Sequence, residues 1–296
     1  MDDALSPQAF QRLRSHPDFR TVVEDHCRAS LDHHAGMPLV DRWLVSDLGR
    51  QSLSRAMVIL DAVYGEVGTR ALVEAAQANR TCSRGRVLAF LKRAELNGMI
   101  SAPPAQSEMD RVFKLESRFI EVMGRYTEMM VETVARLSPE AAPAAEAITE
   151  PDFRRRFMAT LGRLSVSRRD LFAGPEMPVV LFLYRDGGER ILERLIISQP
   201  RERSRLLQWA PVSRSSLART AFTSRQHVRR LLDAGESEGF LSVSPRSVAF
   251  SAALSDDVER HFSLIFEIAR AAALITQRRP EPGGGAEDRP TPLGAA

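Results

Sequence analysis

Apolar positions along this chain recur with helical spacing, interrupted twice by short extended runs. Phe10, Leu13, Phe19, Val22, Val23 and Leu31 mark one amphipathic helix, with Pro17 as a candidate break. Leu53, Met57 and Leu60 mark a second helix, and Ile191, Leu195 and Ile196 mark another further on. Two long stripes follow at i, i+3, i+4, i+7 spacing. One runs through Phe119, Val122, Met123, Tyr126, Met129, Met130 and Val134, the other through Val258, Phe262, Ile265, Phe266 and Ala269. Their Met and Phe content points to packing against a core or a second copy rather than to a cofactor. Two hairpins are expected after glycines. The first pairs Met99-Ile100-Ser101 with Val112-Phe113-Lys114-Leu115 after Gly98, and the second pairs 240–243 with 248–250 after Gly239.

These patterns come in the same order twice, because the chain repeats itself. Pro17-Asp18-Phe19-Arg20 recurs as Pro151-Asp152-Phe153-Arg154, and Met37-Pro38-Leu39-Val40 as Met177-Pro178-Val179-Val180. Residues 47–55 answer 186–194, and Ser83-Arg84, Val87, Leu91, Glu95 and Gly98 answer Ser224-Arg225, Val228, Leu232, Glu236 and Gly239. The separations of 134, 140, 139 and 141 residues are collinear, which a chance tetrapeptide match would not give. The expected organisation is a first unit at 7–137, a Pro/Ala-rich linker at 138–150 and a second unit at 151–277. A tail at 278–296, rich in Pro and Gly, is expected to be disordered. The fold class that follows is mainly α with small β-hairpins, in two tandem units flanked by long packing helices.

Composition narrows the classes. The chain has 296 residues with 44% hydrophobic and 27% charged, enough to bury a core in each of two domains. Two cysteines cannot build a disulfide framework and point to a reducing compartment. Met1-Asp2-Asp3 is acidic where a secretory leader would be basic. The longest apolar run, Met177 to Tyr184, is far short of the ~20 residues that span a bilayer. A cytoplasmic protein without membrane contact is therefore expected.

Net charge is only +3, but its placement is uneven. From Arg201 to Arg230 eight arginines stand against one acid, Glu202, and from Arg80 to Arg93 five basic residues stand against none. In copy two, Val228, Leu231 and Leu232 turn one face of a helix inward, leaving Arg225, Gln226, Arg229 and Arg230 on or beside the outer face. Thr223 is the expected N-cap of that helix and Gly239 its stop. Arginine grips guanine O6 and N7 with two hydrogen bonds and glutamine pairs with adenine, so such a face suits the major groove. Copy one repeats the pattern more weakly. Ala76-Gln77 stands where copy two has Leu217-Ala218, and Gly85 lies inside the helix, either to permit close approach or as the mark of a degraded reader.

The Leu217-Ala218, Ser224-Arg225, Val228-Arg229, Leu232 and Glu236-to-Leu241 pattern resembles the helix-turn-helix of bacterial winged-helix regulators of the Crp and GntR types. The order of elements around it resembles MarR-type regulators. The close motif covers about 30 residues per copy. The resemblance implies a double-stranded-DNA-binding transcription regulator in which the second helix reads and the hairpin serves as wing. The residues it selects are Ser83, Arg84, Arg86 and Arg93 in copy one. In copy two they are Arg214, Thr223, Ser224, Arg225, Gln226, His227, Arg229, Arg230 and the wing residue Arg246. Two unlike readers imply an intramolecular pseudo-dimer on an asymmetric site, with a further homodimer left open. The competing classes are a tandem winged-helix protein-interaction module of the ScpB-like kind and a plasmid-type replication initiator.

Other chemistry is thin. Asp32-His33-His34 lacks metal-ligand geometry, because adjacent helical residues point apart, and is expected as an exposed polar helix end. Cys82, near the start of the first reader, is expected as a small buried turn residue. No phosphate loop, triad signature or paired-carboxylate setting is present, so neither an enzyme nor a cofactor is expected.

Overall fold

The computed structural model describes residues 5–78, 81–167, 177–201 and 205–278. It is mainly helical with two small antiparallel sheets. The first half runs α1 (Pro7–Arg14), α2 (Phe19–Gly36), α3 (Leu39–Leu44), α4 (Leu48–Tyr64), β1 (Val67–Gly68), α5 (Thr69–Ala78), α6 (Arg84–Leu96), β2 (Ile100–Ser101), β3 (Val112–Leu115) and α7 (Ser117–Leu137). After α8 (Ala142–Ala147) the second half repeats the order from α2 onward, with no counterpart of α1. It runs α9 (Pro151–Ser167), α10 (Val180–Leu183), α11 (Gly188–Ser198), β4 (Ala210–Pro211), α12 (Arg214–Thr220), α13 (Arg225–Ser237), β5 (Leu241–Val243), β6 (Ser247–Phe250) and α14 (Ala252–Gln277). The repeated sequence is therefore a repeated order of elements. The break expected at Pro17 separates α1 from α2.

Each sheet has three strands with the last in the centre, in orders β1-β3-β2 and β4-β6-β5. In one, Val67 faces Phe113 and Ile100 faces Leu115; in the other, Ala210 faces Val248 and Leu241 faces Phe250. The hairpins stand where the sequence placed them. The third strands, β1 and β4, are two residues long and carry no readable alternation.

The compact units are not the two sequence copies laid end to end. One comprises Met1–Leu48 with Leu171–Glu267, the other Gly49–Asp170 with Ile268–Ala296. The first unit thus joins α2 and α3 of copy one to α10–α13 of copy two. The second joins α4–α7 of copy one to α9 of copy two. The exchange is reciprocal. In the first unit α2 packs on α11, and Ser30 on α2 accepts a hydrogen bond from the buried Arg190 on α11. In the second unit α9 lies on α4, so close at Gly162 that an added Cβ would come within 2.5 Å of the Ile59 side chain. Arg155 of α9 pairs with Asp61 of α4 at 3.8 Å, and Arg154 with Glu128 of α7 at 3.1 Å.

The segment 138–150, expected as a linker, carries helical turns. A 3-10 turn at Pro139–Ala141 leads into α8, and Ala141, Ala144 and Ile148 are buried. Small side chains at Ala141 and Ala144 permit that packing. The tail from residue 279 onward lies outside the described residues. So do Met1-Asp2-Asp3 and Arg80, Glu202 and Arg203 of the basic segments.

Candidate nucleic-acid interface

In each unit a helix, a turn, a second helix and a hairpin follow one another, and the two constructions agree in the hydrogen bonds of the turn, the cap, the stop and the hairpin exit. The second helices, α6 and α13, are both 13 residues long. Each is capped by the serine of a Ser-Arg pair. Ser83 Oγ accepts from the Arg86 N–H at 3.4 Å, and Ser224 Oγ from the His227 N–H at 3.1 Å. Each ends on a glycine in the left-handed region, Gly98 at φ 65° and Gly239 at φ 71°. There the Met99 N–H returns to the Ala94 carbonyl at 2.9 Å, and the Phe240 N–H to that of Gly235 at 2.8 Å. Even the exit from the hairpin repeats, Glu116 N–H to Met99 O at 3.0 Å and Ser251 N–H to Phe240 O at 2.9 Å.

Two expectations change here. Thr223 is not the N-cap of α13; Ser224 is, and the Thr223 N–H instead closes the turn onto the Ala218 carbonyl at 3.0 Å. In copy one the Thr81 N–H does the same to Ala76 at 3.0 Å. That bond aligns Ala75-Ala76, both buried, with Leu217-Ala218, one residue earlier than sequence matching placed them. The first-helix packing signal of copy one is then intact, and the extra turn residue is Cys82, buried as expected.

The outer faces carry the selected residues. On α13, Val228, Leu231, Leu232 and Gly235 are buried, while Arg225, Gln226, Arg229 and Arg230 are exposed. On α6, Val87, Phe90, Leu91 and Ala94 are buried, while Arg84, Arg86 and Arg93 are exposed. Ser83, Ser224, Arg214 at the start of α12 and Arg246 on the second hairpin are exposed too. Arg229 is steadied by Asp233 one turn on, at 3.3 Å. Arg84, Arg214, Arg225, Arg230 and Arg246 have no ion pair among the described residues. Thr223 and His227 are half-buried, and His227 Nε2 is shielded from solvent without a hydrogen-bond partner among the described residues.

The sequence did not reveal how the hairpins are held. The equivalent carboxylates at the ends of the second helices do this, by different means. Glu236 Oε1 accepts from the Val243 N–H at 3.2 Å. Glu95 instead takes both terminal nitrogens of Arg111, Nη1 at 2.9 Å, which holds its carboxyl below the usual range and raises the guanidinium. The repeated Glu95/Glu236 pair was visible; its partners, on a hairpin of different length in each copy, were not.

His34 also departs from expectation. It is buried, not an exposed helix end, and its ring lies 5.8 Å from that of Phe222 in the turn before α13. Burial, with Arg190 and Arg42 nearby, brings its pKa down to about 3. Beside it the buried Glu193 holds Arg190 at 2.9 Å, and burial pushes that carboxyl up to about 8. Among the described residues no group of three His, Cys, Asp or Glu side chains could hold a metal ion, and no helix is long and apolar enough to cross a membrane. No family model, curated protein or solved structure matches the chain.

Proposed function

We propose that this chain is a sequence-specific double-stranded-DNA-binding transcription regulator acting in the cytoplasm with the nucleoid. In this reading two winged helix-turn-helix units of MarR-like order form a pseudo-dimer within one chain. The observation that carries it is the pair of second helices. Each begins on a Ser cap, buries one apolar face and turns exposed arginines outward, in two units that share their turn, cap and stop. A capped helix about 20 Å long fits the major groove, which is about 12 Å wide, and its outward arginines are bidentate donors for guanine. Because α6 offers Arg84-Gly85-Arg86 where α13 offers Arg225-Gln226-His227, the two half-sites differ.

The test is retardation of a mixed-sequence duplex across a salt series, followed by recovery and footprinting of preferred sequences. Affinity should fall steeply as salt rises, since each phosphate contact releases a counterion. The recovered site should hold two unlike halves. No retardation even at low salt overturns the DNA reading in favour of a protein-interaction module. A strict palindrome bound by one monomer overturns the asymmetric pseudo-dimer. Directly repeated origin sequences would mark a replication initiator.

A further inference from the structure

The tips of the two hairpins are opposite in charge, acidic at 102–110 and basic at 244–247, and we infer that the units grip DNA unequally: one with helix and wing, the other with helix alone. This rests on the DNA reading above. The hairpin of the first unit, from Leu241 to Phe250, contains one charge, the exposed Arg246, among serines and a proline. Its tip is a tight turn closed by the Ser244 N–H on the Ser247 carbonyl at 2.9 Å. Arg214, at the start of the first helix of the same unit, is also exposed, and neither arginine has an ion pair among the described residues. Both are available to phosphate oxygens.

In the second unit the hairpin is longer and its tip is acidic, although Arg111 and Lys114 nearer the strands balance the charge of the whole hairpin. Between Ser101 and Arg111 it carries Glu108 and Asp110, whose side chains are 71% and 58% exposed, and no base. The two bases nearest these acids are already committed. Arg111 is clamped by Glu95 and faces Glu108 at 3.6 Å, and Arg70 at the start of α5 is held by Asp110 at 3.3 Å. Asp110 is in turn fixed by the Ser107 hydroxyl at 2.5 Å. Lys114 is set back on β3, opposite Ser101, rather than in the tip. A wing of this kind meets the backbone with carboxylates in front, and bringing them to phosphate is repulsive. The second unit therefore contacts its half-site through α6 without its hairpin.

The experiment compares wild type, Glu108→Arg and Arg246→Glu on the mixed-sequence duplex and on the selected site, with hydroxyl-radical footprints. Wild type should protect backbone beyond the groove on the half-site of the first unit only. Glu108→Arg should bind several-fold tighter at low salt, with a salt slope steeper by about 1. A misfolded variant cannot produce that gain. Arg246→Glu should bind more weakly, with a slope shallower by about 1 or more, while its circular dichroism is unchanged. Equal flanking protection on both half-sites, or unchanged affinity in Glu108→Arg, overturns the unequal grip while leaving the DNA reading intact. No retardation by wild type at low salt overturns both.

Discussion

The guanidinium carbon of Arg42 lies 3.6 Å from the centroid of the Phe222 ring. Phe222 sits in the turn between α12 and α13 with φ at 51°, the one non-glycine residue with positive φ among the described residues. A side chain in that region costs roughly 1–2 kcal/mol. The ring that incurs this cost is covered by Arg42, whose Nε and Nη2 donate to the carbonyls of His34 and Ala35 at 3.0 and 2.8 Å. The guanidinium therefore closes the end of α2 and fixes the turn before the candidate reader together. A double-mutant cycle on Arg42→Ala and Phe222→Leu, by denaturant unfolding, should give a coupling of about 0.5–2 kcal/mol. Simple additivity would remove this link.

Gly85 separates two functions of α6. A Cβ there meets nothing within 4 Å, but Gly85 is the second residue of α6, in its first turn, so Gly85→Ala should stabilise the protein by less than about 1 kcal/mol, read as a slightly raised denaturation midpoint. If the helix lies against DNA at Gly85, the same variant should bind its selected site more weakly despite being more stable. Unchanged binding would place the contact elsewhere on α6.

Arg225 and Arg84 stand at equivalent first positions of α13 and α6, both exposed. Each alanine variant should leave thermal stability within about 0.5 kcal/mol of wild type. Specific binding should weaken by about 1–3 kcal/mol, with selectivity relaxed in a different half-site for each. A variant that relaxes neither half would remove that arginine as a base reader.

Stability should fall on acidification because of His34. Its pKa is about 3 in the folded chain against 6.5 when free, so between these values the unfolded state binds more protons. The stability it contributes is present above pH 6.5 and is lost as pH drops towards 3. Glu193 acts in the opposite direction: its pKa rises from 4.5 to about 8, so its contribution is lost as pH climbs through that window. Denaturation midpoints against pH should therefore show a flatter acid limb in His34→Phe than in wild type. Parallel limbs would mean that His34 is not the titrating group.

Much of this arrangement was legible in the sequence because it is local. Val228 and Leu232, Val87 and Leu91, and the stopping glycines define helices whose faces and ends depend on near neighbours. The cap was misplaced by one residue because Thr223 and Ser224 are adjacent and both are good caps; backbone geometry alone separates them. The one-residue shift at Ala75-Ala76 was hidden by Cys82, an insertion inside a turn that leaves no trace in the apolar period. What covers each helix was not legible at all. The stripe on α2 states that a face must be buried, but the same pattern would serve against α4 or α11. Likewise, nothing in the Asp32-His33-His34 run announces that His34 packs against a turn nearly 190 residues away.

The exchange of helices between the two copies has a bearing on how the protein is made. When α2 leaves the ribosome its partner α11 has not been translated, and more than 150 residues must emerge before that face can be covered. The second unit waits longer still, since its last segment, Ile268 to Gln277, closes the described chain. Neither copy supplies a finished core by itself, so a product truncated between them leaves apolar helices uncovered and prone to aggregation. The two similar halves are thus linked in their core packing, each compact unit drawing segments from both.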